Sequence, residues 1–241
     1  MNLLIDMGNS RVKWRLWQDS LTLNSGAVSY AGGTCGQWFA GVRERPARVL
    51  VSSVAGVEAE QQLQRQLHEL GFPAPEFAVT QASACGVSCG YQDYRALGVD
   101  RWLALLAAHA KTGQGCVLAD SGTALTVDLL APDGVHLGGF IGPGVGLMRR
   151  SLAGESRALA AALSEPYSQI EGPGRDTRSA IDGAVGAMGA GLIERGLALL
   201  PQVPLVLTGG DSRVWASMYE KALVYPELVF DGLVRYFAAS R

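Results

Sequence analysis

The sequence predicts an α/β protein built of two similar halves with mixed sheets flanked by helices. Two observations lead there. Candidate strands and helices alternate along the chain, which is the α/β pattern. A strand–turn–strand unit, LLIDMGNSRVKWRL from Leu3, also returns as VLADSGTALTVDLL from Val117. The two aspartates of that unit, Asp6 and Asp120, stand just under half of the 241-residue chain apart. A repeat at that distance argues for two units of one design. With 48% hydrophobic and 17% charged residues, the chain has enough apolar material for a sizeable core.

The elements follow in order. Residues 2–6 form a buried run, and Val12, Trp14 and Leu16 alternate with Lys13, Arg15 and Trp17, so 12–17 reads as a second strand. A third strand lies near 26–30, and RVLVSSV at 48–54 is a β-branched strand. Residues 57–71 read as a helix: Leu63, Leu67 and Leu70 make one stripe and Gly71 ends it. A short strand covers 76–80, residues 81–99 look irregular, and a very apolar helix spans 100–111. The second unit occupies 116–130. Asp133-Gly134 then turns the chain back through VHLGGFIG. Pro143 is expected at the start of a helix to 153. Residues 154–175 are polar and Gly/Pro-interrupted, which suggests a loop or lid with some helix. A long helix follows at 177–200, a strand at 204–211 and a final helix at 226–238.

Composition excludes several classes. The formal net charge of −2 gives no global attraction for nucleic acid. The longest greasy segment, WLALLAAHA at 102–110, is too short to span a bilayer. The N-terminus lacks a basic region and its first apolar run is broken by Asp6, so no secretory signal is expected. The four cysteines at 35, 85, 89 and 116 and three scattered histidines do not make a zinc set, and free thiols of a reducing, cytoplasmic setting are expected.

The repeated turn carries the chemistry. Glycine can adopt positive φ and lets a ligand approach the backbone closely. Neighbouring N–H groups can then cradle an anion. Asn9, Ser10, Ser121 and Thr123 add side-chain donors, and Lys13 can meet a phosphate as a point charge. Asp6 and Asp120 repel phosphate, but suit a divalent cation or its waters beside it. The plain alternative is a pair of ordinary hairpins with glycine turns. No Walker A pattern appears, and GGFIGPGVG does not fit the dinucleotide fingerprint. Asp100-Arg101 has two readings: a helix N-cap, or a carboxylate at a polar-to-buried boundary beside a guanidinium. The second pair suits phosphoryl transfer, with the acid taking a hydroxyl proton and the cation offsetting phosphoryl charge.

The motifs also come in a telling order: DMGNS at 6–10, LGVDRW at 97–102, DSGTA at 120–124, GGFIGPG at 138–144 and TGGD at 208–211. The series resembles the type III pantothenate kinases, of the acetate kinase, sugar kinase, heat-shock 70 and actin superfamily. The resemblance implies two ribonuclease-H-like, actin-like halves with a central cleft, divided here as 1–112 and 113–241. It implies ATP-dependent phosphorylation of pantothenate to 4′-phosphopantothenate, the first step of coenzyme A synthesis. Asp6, Met7, Gly8, Asn9, Ser10, Arg11, Val12 and Lys13 would hold ATP phosphates, with Asp6 near magnesium. Asp120 would serve a monovalent cation, potassium or ammonium. Thr123 would touch ATP, and Gly209 and Gly210 would lie by the adenosine. Asp100 would be the general base with Arg101 beside it. Tyr91, Gly98, Val99, Asp100, Arg101 and Thr177 match pantothenate contacts. Members are cytoplasmic homodimers, with no nucleic-acid or membrane partner implied. Met7 and Ser121 stand where the family is often apolar, and 154–175 matches no motif. Two alternatives stay open: a kinase of this fold for a sugar or carboxylate, and a nucleotide-binding regulator without turnover.

Overall fold

The computed structural model describes residues 1–29, 38–39, 41–170 and 172–239. They form two compact units, one from residues 1–107 with the C-terminal segment from Leu228, the other from 108–227.

In the first unit, β1 (Asn2–Met7), β2 (Arg11–Gln18), β3 (Leu21–Ser29), β4 (Arg48–Ser53) and β5 (Pro75–Phe77) form a sheet in the order β3-β2-β1-β4-β5. The β1–β2 and β2–β3 pairs are antiparallel, and β1–β4 and β4–β5 are parallel. Leu3, Leu4 and Ile5 are all fully buried, which is why β1 reads as a continuous apolar run and not as an alternation. Leu3, Ile5 and Met7 pack with Val12, Trp14, Val49 and Val51 against Leu63 and Leu67 of α1 (Val57–Glu69). That helix ends where Gly71 takes φ +67° and the Phe72 N–H reaches back to the Leu67 carbonyl at 2.8 Å.

The third strand is longer than expected and starts at Leu21. Its hairpin turns on Asp19 and Ser20, both at positive φ, so the tight two-residue turn forms without the glycine that usually signals it. The irregular stretch after β5 holds two tiny paired strands, β6 (Ser83–Ala84) and β7 (Val87–Ser88), and a 3-10 turn at Tyr94–Ala96. Helix α2 (Val99–Thr112) follows.

In the second unit, β8 (Cys116–Ser121), β9 (Ala124–Leu130), β10 (His136–Pro143), β11 (Leu205–Thr208) and β12 (Leu223–Val224) form a sheet in the order β10-β9-β8-β11-β12. Directions match the first sheet strand for strand. Two ribonuclease-H-like sheets therefore underlie the repeated motif. Around the second lie α3 (Val145–Ala153), α4 (Arg157–Ala162), α5 (Thr177–Leu199) and the short α6 (Ser212–Ala216). Its core joins Val117, Ala119, Leu125, Val127 and Leu207 to Val185 and Ile193 of α5 and to Trp215. Pro143 is not a helix start. It ends β10, opposite Ala124, on an edge strand that tolerates a missing N–H, and Gly144 precedes the helix instead. The last helix, α7 (Leu228–Ala239), packs on β1 and β4 of the first unit.

Candidate active site

In the first unit, β1 delivers Asp6 to the end of the sheet, opposite Lys13 on β2 and Ser52 on β4. Met7 and Val12 sit in the core, so only their backbones can serve a ligand at the turn. Asn9, Ser10 and Arg11 are exposed at the tip. The Gly8 N–H is not available to an anion, because it closes the hairpin on the Arg11 carbonyl at 3.1 Å.

The second unit repeats the arrangement one residue shorter. Asp120, one residue before the end of β8, lies opposite Thr126 on β9 and Thr208 on β11, and the Gly122 N–H closes on the Ala124 carbonyl at 2.9 Å. Thr123 is exposed, and its carbonyl accepts from the Gly144 N–H at 3.0 Å. Beyond Thr208, Gly209 takes φ +88°, and a side chain there would collide with the Asp120 carboxylate and the Ser121 backbone. Asp120, Ser121 and Gly209 are thus one packed group. Gly210 is exposed beside them.

The glycines divide by reason. Neither Gly8 nor Gly122 has the positive φ expected for a turn glycine. A Cβ on Gly8 would meet only the Arg11 carbonyl, at 3.6 Å, and one on Gly122 or Gly210 would meet nothing within 4 Å. The fold does not require glycine at these three points, whereas it does at Gly209. A bare backbone with open space before it suits a group that must come close from outside.

The second cluster lies at the start of α2. The helix begins at Val99, and Asp100 lies inside its first turn, so the N-cap reading of Asp100 fails. The Trp102 N–H bonds the Gly98 carbonyl at 3.0 Å. Asp100 Oδ1 accepts from the Arg101 backbone N–H at 2.8 Å and folds over Gly98, where a Cβ would stand 2.6 Å from that oxygen. Arg101 is buried, and its Nη1 donates to the Tyr91 hydroxyl at 2.8 Å with the guanidinium 5.6 Å from the ring centre. Tyr91, Gly98, Asp100 and Arg101 therefore form one local group. The Val99 side chain is buried, so it can offer only backbone. The Thr80 hydroxyl donates to the Leu97 carbonyl at 2.8 Å and fixes the loop that carries Tyr91. Thr80 was not singled out from sequence, since a lone threonine in a loop carries no pattern.

Thr177 is exposed at the first position of α5. The Asp176 carboxylate caps that helix, accepting from the Ser179 N–H at 2.9 Å. These bonds hold the exposed carboxyl of Asp176 below its usual pKa.

Among the described residues, no group of three or more His, Cys, Asp or Glu is placed to cage a metal. Magnesium in phosphoryl-transfer sites is usually held without such a cage, by one or two protein carboxylates, waters and the substrate's phosphates, a role whose donor type Asp6 matches. Among the same residues, no helix is long and apolar enough to cross a membrane.

A family model described as type III pantothenate kinase matches residues 2–198. The chain is 35% identical to the type III pantothenate kinase of Cellvibrio japonicus, covering 98% of this chain and 97% of the relative. It is 39% identical to that of Alkalilimnicola ehrlichii, covering 97% and 96%. Among solved structures, a Campylobacter jejuni protein described as a "conserved putative Baf family transcriptional activator" is similar with a TM-score of 0.66 at 20% identity, covering 99% of this chain and 98% of that one. Component A of (R)-2-hydroxyglutaryl-CoA dehydratase from Acidaminococcus fermentans is similar at 0.52 and 13% identity, covering 100% and 99%. At such identities these two speak to the fold alone. The family match and the near-full-length relatives place the function as well: the chain belongs to the type III pantothenate kinases, enzymes that phosphorylate pantothenate on the way to coenzyme A.

Proposed function

We propose that this chain transfers the γ-phosphoryl group of ATP to the hydroxyl of pantothenate through the residues described above. The observation that carries the reading is the pair of matched turns, each with a strand-end aspartate and a glycine that the fold itself does not require. Backbone at Gly8, Gly122 and Gly210 admits the nucleotide closely. Asn9, Ser10 and Thr123 offer donors, Arg11 and Lys13 offer positive charge, and Gly209 holds the second turn in shape. Asp6 would hold magnesium and Asp120 a monovalent cation, potassium or ammonium. Magnesium, when bound, offsets the charge of the β- and γ-phosphates.

Asp100 accepts the proton of the attacking hydroxyl. Its carboxylate accepts from the Arg101 N–H, which helps to fix its direction. The Arg101 guanidinium, steadied by Tyr91, supplies positive charge for the phosphoryl group in transit. Tyr91, Gly98, Val99 and Thr177 are the proposed pantothenate contacts. The working unit is a cytoplasmic homodimer.

The test is ADP release by purified protein with ATP, magnesium and potassium, with and without pantothenate. Release that depends on pantothenate, with a product one phosphoryl group heavier by mass, is expected. ATP binding without such release contradicts the reading and favours another acceptor or a regulatory role.

A further inference from the structure

The segment between α4 and α5 matched no motif, yet it is fastened at several points. Arg149 of α3 donates through Nη2 to the Glu165 carbonyl at 2.7 Å, and Arg178 of α5 donates through Nη2 to the Pro166 carbonyl at 2.9 Å. The Ser168 N–H donates to Asp182 Oδ2 at 3.2 Å, and the Ser217 hydroxyl donates to Gln169 Oε1 at 2.7 Å. At the centre is Asp182, fully buried on α5. Its Oδ1 lies 2.9 Å from Arg149 Nε and its Oδ2 lies 3.8 Å from Arg178 Nε. The closer pair is held by charge more than by an aligned N–H, since neither atom has a well-directed hydrogen bond. Tyr167 closes the group. Its hydroxyl lies over Gly186, where a Cβ would stand 2.9 Å away. Burial, then the Asp182 charge, raises its pKa, with Arg149 opposing.

A buried carboxylate between two arginines is not needed for stability as such. Apolar residues of similar volume often serve as well or better. What it supplies is direction. Asp182 orients both guanidiniums, and each holds one carbonyl of the same strap. Arg178 is also the residue after Thr177, so the strap and the start of α5 are tied through one side chain.

We infer that Asp182 is a positioning residue for the acceptor site: through Arg178 and Arg149 it fixes the 165–168 strap and with it the orientation of Thr177. The inference rests on the kinase reading above. Asp182 touches no reacting group, so its loss weakens pantothenate binding in ground and transition states alike. That pattern raises KM and leaves kcat unchanged.

The experiment measures KM for pantothenate and for ATP in wild type, Asp182→Asn and Arg178→Gln. Arg178→Gln keeps the closer Asp182–Arg149 pair and removes the tie to Pro166 together with the longer Asp182–Arg178 pair, so it reports even where Asp182→Asn fails to fold. The expected result is a rise of about tenfold or more in the pantothenate KM, within the range that a misplaced positioning group causes. The ATP KM should stay within about twofold, below the threshold of a lost contact. Cleavage after Tyr167 by chymotrypsin, located by mass, reads the strap with no substrate present, and both variants should be cut faster than wild type. Active wild type with an unmoved pantothenate KM in a folded variant overturns the inference. So does an equal rise in both KM values, which marks general damage. Wild type that lacks pantothenate-dependent turnover defeats the kinase reading and this inference's acceptor with it, while faster cleavage would still report the strap's fastening.

Discussion

Gly122 and Gly209 flank the same aspartate turn but are opposites in physics. Gly122→Ala adds a methyl into open space and should leave stability within about 0.5 kcal/mol of wild type. On the proposed reading the nucleotide approaches this open backbone, so kcat/KM for ATP should fall by roughly 10–100-fold, as for a displacement of about 1 Å. Unchanged ATP kinetics would remove Gly122 from the site. Gly209→Ala should instead destabilise by roughly 1–3 kcal/mol, because it forces an L-residue into positive φ against Asp120. Thermal melts of the two variants separate these roles. Cys116 gives a third check. Burial first, then the nearby Asp128 charge, pushes its thiol up to about 12 from 9.0. The thiol is neutral at any working pH and poorly nucleophilic. An alkylating reagent on native protein should spare Cys116 and label the partly exposed Cys85 and Cys89; rapid labelling of Cys116 would contradict its burial. Much at this scale was legible: strand-end aspartates and small turn residues have a recognisable spacing. The reason for each glycine was not, since sequence cannot tell a strained backbone from an open one.

At the scale of elements, the cap of α5 carries a pH signature. The Asp176 carboxyl is held below its ordinary value of 3.8 by the Ser179 N–H and hydroxyl. Its stabilising effect is fully present above that value and is lost as the pH falls through the lowered folded one. Asp176→Ala should therefore melt earlier than wild type at neutral pH, and the gap should close in acid below the ordinary carboxylate range. A gap that persists there would assign the effect to something other than the carboxylate. Periodicity found α1, α2, α5 and α7 because each buries a long stripe or run. It missed the hairpin at Asp19-Ser20, which uses no glycine, and α6 and β12, which are too short to show a period. The 165–168 strap was invisible for a different reason. Its order comes from arginines on α3 and α5, and no local pattern records a partner that distant in sequence.

At the scale of the whole molecule, one sheet design is used twice, in the same strand order and directions. The repeated motif announced this, because a buried strand ending in Asp-x-Gly is the centre of each sheet. The allegiance of α7 to the first sheet is a long-range matter that apolar content alone does not carry. The division of labour follows from the design. Each sheet presents an aspartate turn, and the first unit adds Asp100, Arg101 and Tyr91 at the start of α2. This last group is the one proposed to perform the chemistry on an acceptor hydroxyl. The most direct measurement is phosphopantothenate formation, followed by mass, for wild type and Asp100→Asn at matched ATP saturation. Product is expected from wild type, with a loss of at least about 100-fold in the variant and unchanged ATP affinity and melting temperature. Near-normal turnover by Asp100→Asn would contradict this role for Asp100.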